Sequence, residues 1–264
     1  MILVIVSITC LAASAIGAAV GIGGGIIIKP VLELLNIMDI TVVSFLSGVT
    51  VLSMSTFSVV NGQLSRDTHI NIPMALAVSS GAVIGGIAGK IIFAWVLDAS
   101  GNHELVGAVQ SVCLFMLTLS TFIYSLFRNR IPKYKVGSFT AAAAVGLLLG
   151  LFSSFLGIGG GPINIMILCI LFSFDTKSAA AYSLFIIMCS QMSSVMWQIL
   201  TYSVPEFSTS MLMLMALCGV LGGVIGTHLR RRMRAESIDK LFNTILVIIM
   251  CICVYNYFGY TGVI

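Results

Sequence analysis

Charge is nearly absent from this chain: Asp, Glu, Lys and Arg make up 8% of its 264 residues. With 59% hydrophobic residues and a mean hydropathy of +1.12, it cannot cover itself with polar surface, which excludes a water-soluble globular protein. Histidine is scarce as well. His69 and His103 fall in loops and His228 beside an arginine run, so no pair is placed to ligate haem or a metal cluster. Cys10, Cys113, Cys169, Cys189, Cys218, Cys251 and Cys253 all lie in apolar segments without metal-type spacing, and they read as packing thiols, with no disulfide framework implied. No Gly-x-x-x-x-Gly-Lys-Ser/Thr loop is present to cradle a nucleotide. The expectation is a protein that is not an enzyme and carries neither cofactor nor metal.

What the chain does contain is long apolar runs. They extend over Ile2 to Val20, Ile26 to Leu35, Thr41 to Val60, Ile72 to Leu97 and Leu105 to Phe127, and then onward from Val136, Pro162, Ser178, Phe207 and Ile238. Most have the ~20 residues that cross a hydrocarbon core; the second of each half has about 10 to 13 and reaches halfway. The first run has no Lys or Arg ahead of it, so it reads as a retained helix rather than a cleaved signal.

The pentapeptide Gly-Ile-Gly-Gly-Gly stands before each short run, at Gly21 to Gly25 and Gly157 to Gly161. At the same offset Asp39 falls on Asp175 and Ser47 on Ser183, and Gly85 to Gly89 matches Gly222 to Gly226 with one residue of slip. That register identifies a duplication. The fold expected is an all-α polytopic membrane protein of two inverted repeats, each of about 4–5 helical segments with one Gly-rich broken helix. Repeat 1 spans residues 1–127, a basic cytoplasmic linker 128–135, and repeat 2 residues 136–264. The rows Gly17, Gly21, Gly25 and Gly81, Gly85, Gly89 also read as small-xxx-small helix contacts.

Basic residues cluster in Arg128 to Lys135 and Arg230 to Arg234, and the positive-inside rule places both loops in the cytoplasm. The Asp98 to Glu104 and Glu206 loops, which lack Lys and Arg, then lie outside with both termini, and the Arg66 loop inside. An even number of crossings must separate the two basic loops, so the pair of segments broken at Gly157 to Gly161 forms either a hairpin or two full passes. The net charge of +4 is accounted for by these loops facing anionic lipid, with no nucleic-acid partner.

Irregular backbone at membrane depth needs protein or a water-filled cavity to satisfy its amides. Gly23, Gly24, Gly25 and Gly159, Gly160, Gly161 would expose N–H groups at two half-helix N-termini, and inverted repeats would aim both toward the midplane, an arrangement that favours an anion. Lys29 costs about 2.5–3.5 kcal/mol inside a membrane, which calls for something negative nearby. Glu33, one turn on, either neutralises it or couples transport to protons. Asn164 follows the second break; Ser47, Thr50, Ser183 and Gln191, on the next helix of each half, can complete a polar cavity or bond back to their own helices.

The paired Gly-Ile-Gly-Gly-Gly signatures, Pro30 and Pro162 after them, the run Asp175-Thr176-Lys177-Ser178-Ala179-Ala180-Ala181-Tyr182-Ser183-Leu184-Phe185 and the later glycine-rich helices together resemble the TauE/SafE family of sulfite and organosulfur-anion exporters. The resemblance implies a multi-pass permease of the inner or plasma membrane that exports a small sulfur-containing anion such as sulfite or an organosulfonate. Met54, Ser55 and Lys29 depart from the family pattern. The partners expected are that anion and the bilayer, with a homodimer left open as the assembly.

Three other readings compete. A dinucleotide fold needs a strand before its glycines, and here both flanks are membrane segments. A soft-metal transporter is suggested by Met188, Met192 and Met196 on one helix and Met211, Met213 and Met215 on the next, without His or carboxylate company. An anion channel would use the same site as a carrier. The reading favoured is a secondary transporter whose repeats rock around the bound anion.

Overall fold

The structure, a computed structural model, describes residues 2–35, 38–64, 72–128, 130–132, 134–201 and 203–262. Its ten described helices are α1 (Ile2–Val20), α2 (Gly25–Leu34), α3 (Ile40–Leu64), α4 (Ile72–Ser100), α5 (His103–Phe127), α6 (Phe139–Leu156), α7 (Gly161–Leu171), α8 (Thr176–Leu200), α9 (Thr209–Arg232) and α10 (Ala235–Tyr260). Eight are long and apolar enough to cross a membrane; α2 and α7, with 10 and 11 residues, are not. Apolar side chains such as Trp95, Leu200 and Ile84 remain exposed on the outer surface, as a lipid-facing belt requires.

Both short helices fold back. Gly24 lies against Ser14 and Gly17, and Ile28 and Leu32 share a buried cluster with Val6, Cys10 and Ala13, so α2 runs antiparallel to α1. In the second half the amides of Tyr134 and Val136, just before α6, donate to the carbonyls of Ile170 and Leu171 at the end of α7. Of the two arrangements open for the Gly157 break, the hairpin is therefore the one adopted. Gly17 packs as a helix-contact glycine, but Gly21 and Gly25 belong to the turn and its exit, which corrects the reading of that row as one continuous helix stripe.

The second glycine row does pack helices. Cβ atoms on Gly81, Gly85 and Gly89 of α4 would stand 1.8, 2.1 and 2.4 Å from the carbonyl oxygens of Ala143, Leu147 and Leu151 on α6. Gly146 and Gly150 of α6 meet the Val78 and Ala82 carbonyls in return. On the other side of the molecule Gly222 and Gly226 of α9 receive α1 in the same manner, while Gly219 and Gly223 receive α3. The packing partners recur on exchange of the halves: α1 on α9 as α6 on α4, α3 on α9 as α8 on α4, and α2 on α10 as α7 on α5. Two bundles result, α1–α3–α9 and α6–α8–α4, each borrowing one helix from the other half, and they meet along α3 and α8.

The basic residues Arg128, Lys135, Lys177, Arg230 to Arg234 and Lys240 gather at one end of the bundle, where Arg128 pairs with Asp239 at 2.9 Å and donates to the Thr176 hydroxyl. The opposite end carries Asp39, Asp98, Glu104 and Glu206 without Lys or Arg among the described residues, and Asp39 pairs there with His103 at 3.0 Å. Arg66, His69 and Lys133 lie outside the described residues.

The offset pair Asp39 and Asp175 has a structural explanation: each begins the third helix of its half. The Asp175 carboxylate accepts the Lys177 and Ser178 amides, and that of Asp39 accepts the Thr41 amide and hydroxyl. Partial burial pushes the Asp175 carboxyl up, but hydrogen bonds from Ser178 and the Lys177 amide outweigh it and hold it below its ordinary 3.8. A depressed carboxylate stabilises the fold above its unfolded value, and that contribution is lost as pH falls through the folded one. Asp175→Ala should therefore cost about 1 kcal/mol at neutral pH. Thermal unfolding in detergent should find the gap between variant and wild type closing below pH 3.8.

Candidate functional site

Where the two hairpin tips meet, the backbone is folded tightly against itself. Gly21, Gly23, Gly157, Gly159, Gly160 and Gly161 all have positive φ, which side chains other than glycine rarely adopt. Gly24 and Gly160 cap the short helices, and Gly25 and Gly161 begin them. A Cβ on Gly25 would stand 2.5 Å from the Ile158 carbonyl oxygen, and one on Gly161 would stand 3.5 Å from that of Ile22. Val51 and Ile187 close over Gly23 and Gly159. Each half-helix N-terminus thus faces the carbonyl edge of the opposite tip, and protein fills the space between them in this conformation.

Among the described residues, buried polar atoms without partners remain beside the tips. Asn164 is packed against Gly160 with neither amide atom bonded. Ser183 Oγ, one turn beyond the Ala180 on which Gly21 rests, is also unpartnered, as is Ser14 Oγ beside Gly24. Such orphans are rare in folded proteins and accumulate where ligands or ordered water bind. Ser47, the counterpart of Ser183, is satisfied by donating to the Gly157 carbonyl at 3.0 Å. Thr50 bonds back to Leu46 in its own helix. Gln191 lies against Gly48 and donates to Ser153 Oγ at 3.3 Å, tying α8 to α3 and α6.

Lys29 sits in the second turn of α2 and reaches across to the broken end of α6. Its Nζ donates to the Leu156 carbonyl and to Gln110 Oε1, both at 2.6 Å, with Glu33 Oε1 at 3.6 Å. Gln110 in turn donates to the Phe155 carbonyl at 2.6 Å. An ammonium at a helix C-terminus meets the negative end of the dipole and two orphan carbonyls, so the cost inferred from its own helix is offset by its neighbour. The negative counterpart anticipated for Lys29 is thus supplied jointly by the α6 terminus and Glu33.

Lys90 is the residue that sequence reasoning passed over. It is 5% exposed within α4, about 15 Å from that helix's base-free end at 1.5 Å per residue. Its Nζ donates to Ser44 Oγ at 3.1 Å, and Ser44 abuts Gly157. Lys29 and Lys90 share one aromatic ring, their ammonium groups lying 6.0 and 5.6 Å from the centroid of Phe93. The signal was present: a lysine inside the Ile72 to Leu97 run, one residue past Gly89, is an intramembrane cation and hence a site candidate by default. Gln110, inside the next run, carried the same signal more faintly.

Two clefts approach this cluster from the base-free end. One, of about 300 Å³, is lined by Glu33, Glu104, Asn256 and Tyr260 among others. The second, of about 480 Å³, has Lys90 and Phe93 among its lining residues. The methionine rows line neither cleft: Met192, Met196 and Met213 are exposed on the outer surface, Met188 is half-buried, and Met211 and Met215 pack in the core. That placement removes the basis for a thioether cage on α8.

The sequence pattern of the family described as "Sulfite exporter TauE/SafE" matches residues 6–252. The "Probable membrane transporter protein YunE" of Bacillus subtilis (strain 168) is 25% identical over 274 residues, which cover 96% of this chain and 97% of that protein. No solved structure matches the chain. With eight helices long and apolar enough to cross a membrane, two glycine-broken hairpins and a family match over nearly its whole length, the chain belongs to the TauE/SafE family and is a polytopic membrane transporter protein.

Proposed function

We propose that the protein is a secondary transporter exporting a small sulfur-containing anion, such as sulfite or an organosulfonate, across the cell's plasma membrane. The observation that carries the reading is an excess of positive charge in the interior. Lys29 and Lys90 converge on Phe93 and the Gly157 tip, and Glu33 is the carboxylate beside them. The other described carboxylates lie toward the two ends of the bundle. A transported anion supplies the missing negative charge, and the unpartnered polar atoms of Asn164 and Ser183 await it where the tips part. Export, rather than uptake, follows the printed description of the family.

The matched packing of the two halves supports an inverted duplication with the basic end in the cytoplasm. Because each bundle contains a helix from both halves, the rocking seam lies between α1–α3–α9 and α6–α8–α4, along α3 and α8, with the glycine tips at its centre. Glu33 lines the 300 Å³ cleft and faces Lys29, so a proton arriving from the base-free end can release that pair.

The test is flux of radiolabelled sulfite into proteoliposomes, with sulfate, thiosulfate, sulfoacetate and cobalt as competitors. Saturable flux, stimulated by a pH gradient in wild type and at least tenfold less responsive in Glu33→Gln, is the expected result. Absence of flux from folded wild type under imposed pH and potential gradients would reject the anion reading; competition by cobalt alone would move it to metals.

A further inference from the structure

We infer that the cleft above Lys90 is the outward-facing site from which the transported anion leaves at the base-free end, and that it takes an organic anion, an acidic headgroup on a short apolar body. The inference rests on the transport reading, adds a place to it, and selects the organic anion over the inorganic one.

The first argument is charge. An ammonium has three donors, and Ser44 accepts one of those of Lys90. Lys29, by contrast, is occupied by the α6 carbonyl, Gln110 and Glu33. Among the described residues Lys90 has no carboxylate in ion-pair contact, Asp98 lying two turns farther along the same cleft wall, although an unpaired buried cation is among the costlier groups a membrane interior can hold. Since Lys90 lines the cleft, its free donors have a ligand's headgroup within reach.

The second argument is size and lining. A cleft of about 480 Å³ falls within the range of small-molecule sites. A four-atom oxyanion, with about the space of two waters at roughly 30 Å³ each, would leave most of such a cleft unfilled. Phe93, Leu97, Trp197 and Val204 supply apolar wall, which a bare inorganic ion cannot use. Gln198, on the same wall, has a buried amide oxygen without a partner among the described residues, leaving capacity for a polar group on the ligand's far end. From the Gly157 tip and Lys29 the headgroup passes along Phe93 to Lys90, both ammonium groups lying within 6.0 Å of that ring's centroid.

The experiment is equilibrium binding to the full-length protein in detergent, read by fluorescence of Trp197 in a Trp95→Phe background. Trp95 is exposed on the outer surface and would otherwise add an unrelated signal. The titrants are 1-propanesulfonate, butyrate, sulfite and propanol. Expected are saturable quenching by 1-propanesulfonate, at least tenfold weaker binding of sulfite, and none by propanol. Butyrate binding equal to that of the sulfonate would leave the organic-anion site standing but place headgroup selection elsewhere.

Lys90→Met should lose at least tenfold in affinity and, because it removes an unpaired buried charge, melt no lower than the parent. Loss of folded protein in Lys90→Met would assign the ammonium to structure and overturn the site. Unchanged affinity in folded Lys90→Met, or sulfite binding as tightly as propanesulfonate, would overturn it equally. A second variant, Phe93→Leu, should keep the charge and weaken propanesulfonate more than sulfite. Binding needs no translocation, so wild type that binds but moves no anion would refute the transport reading and spare the site. Transport that survives in folded Lys90→Met would refute the site and spare the reading.

Discussion

Gly146→Ala and Gly81→Ala should each leave little folded protein, because the added methyl has no space between two backbones. The Cβ would stand 1.8 Å from the Val78 carbonyl oxygen in the first case and 1.8 Å from that of Ala143 in the second. A carbonyl oxygen cannot turn aside as a side chain does, so α4 and α6 must separate along their whole shared face. Overpacking of well-filled cores costs about 1–3 kcal/mol, occasionally more, and here the reciprocal glycines repeat the contact at every turn. Gly137, with nothing within 4 Å of its Cβ position, provides the control, and Gly137→Ala should stay within about 0.5 kcal/mol. Size-exclusion profiles and melting temperatures of the three variants decide it. A monodisperse Gly146→Ala protein melting with wild type would show that the helices are not packed this closely.

Lys29→Met should lose both stability and transport, and adding Glu33→Met should restore the first without the second. Removing the ammonium strands three buried groups at once: the Glu33 carboxylate, Gln110 Oε1 and the Leu156 carbonyl. Breaking one side of a buried pair costs about 3–5 kcal/mol, whereas replacing both partners by apolar residues is often neutral or better. The double variant removes the stranded carboxylate, so its melting temperature should recover most of the loss. Sulfite flux in proteoliposomes should remain abolished, since the charge that meets the anion is still missing. Lys29→Ala should likewise impair transport more than Lys177→Ala, whose lysine lies at the basic end in the first turn of α8. Equal losses for those two in folded protein, or recovered flux in the double variant, would remove Lys29 from the site.

Particular residues mark how far the sequence could be read. Asp39 and Asp175 were recognisable as a repeated pair, and capping explains them, because a cap is a contact within three residues of chain. The lengths of α2 and α7 were legible for a similar reason, being bounded by glycines on one side and polar residues on the other. Lys29 stood out in the sequence as a cation inside an apolar run. Its partners were not legible, because Gln110 and Leu156 are 81 and 127 residues away. Thr50 and Ser47 looked alike, yet one bonds its own helix and the other the Gly157 tip. The methionines of α8 formed a regular row, but periodicity gives only a face, and two of the three, Met192 and Met196, lie on the outer surface.

Composition by itself determined that this chain lives in a bilayer, and the repeated glycines determined that it breaks twice there. Both follow from local physics, since hydrophobic run length and backbone freedom are properties of neighbouring residues. Tertiary structure alone decided that the tips fold back and close on each other, that α4 and α9 change partners between the halves, and that Lys90 faces a cleft rather than a helix. Those outcomes depend on which distant backbone or side chain fills the space beside each residue, and in a membrane, where lipid and leucine are equally apolar, close packing rather than hydrophobic pattern makes that choice.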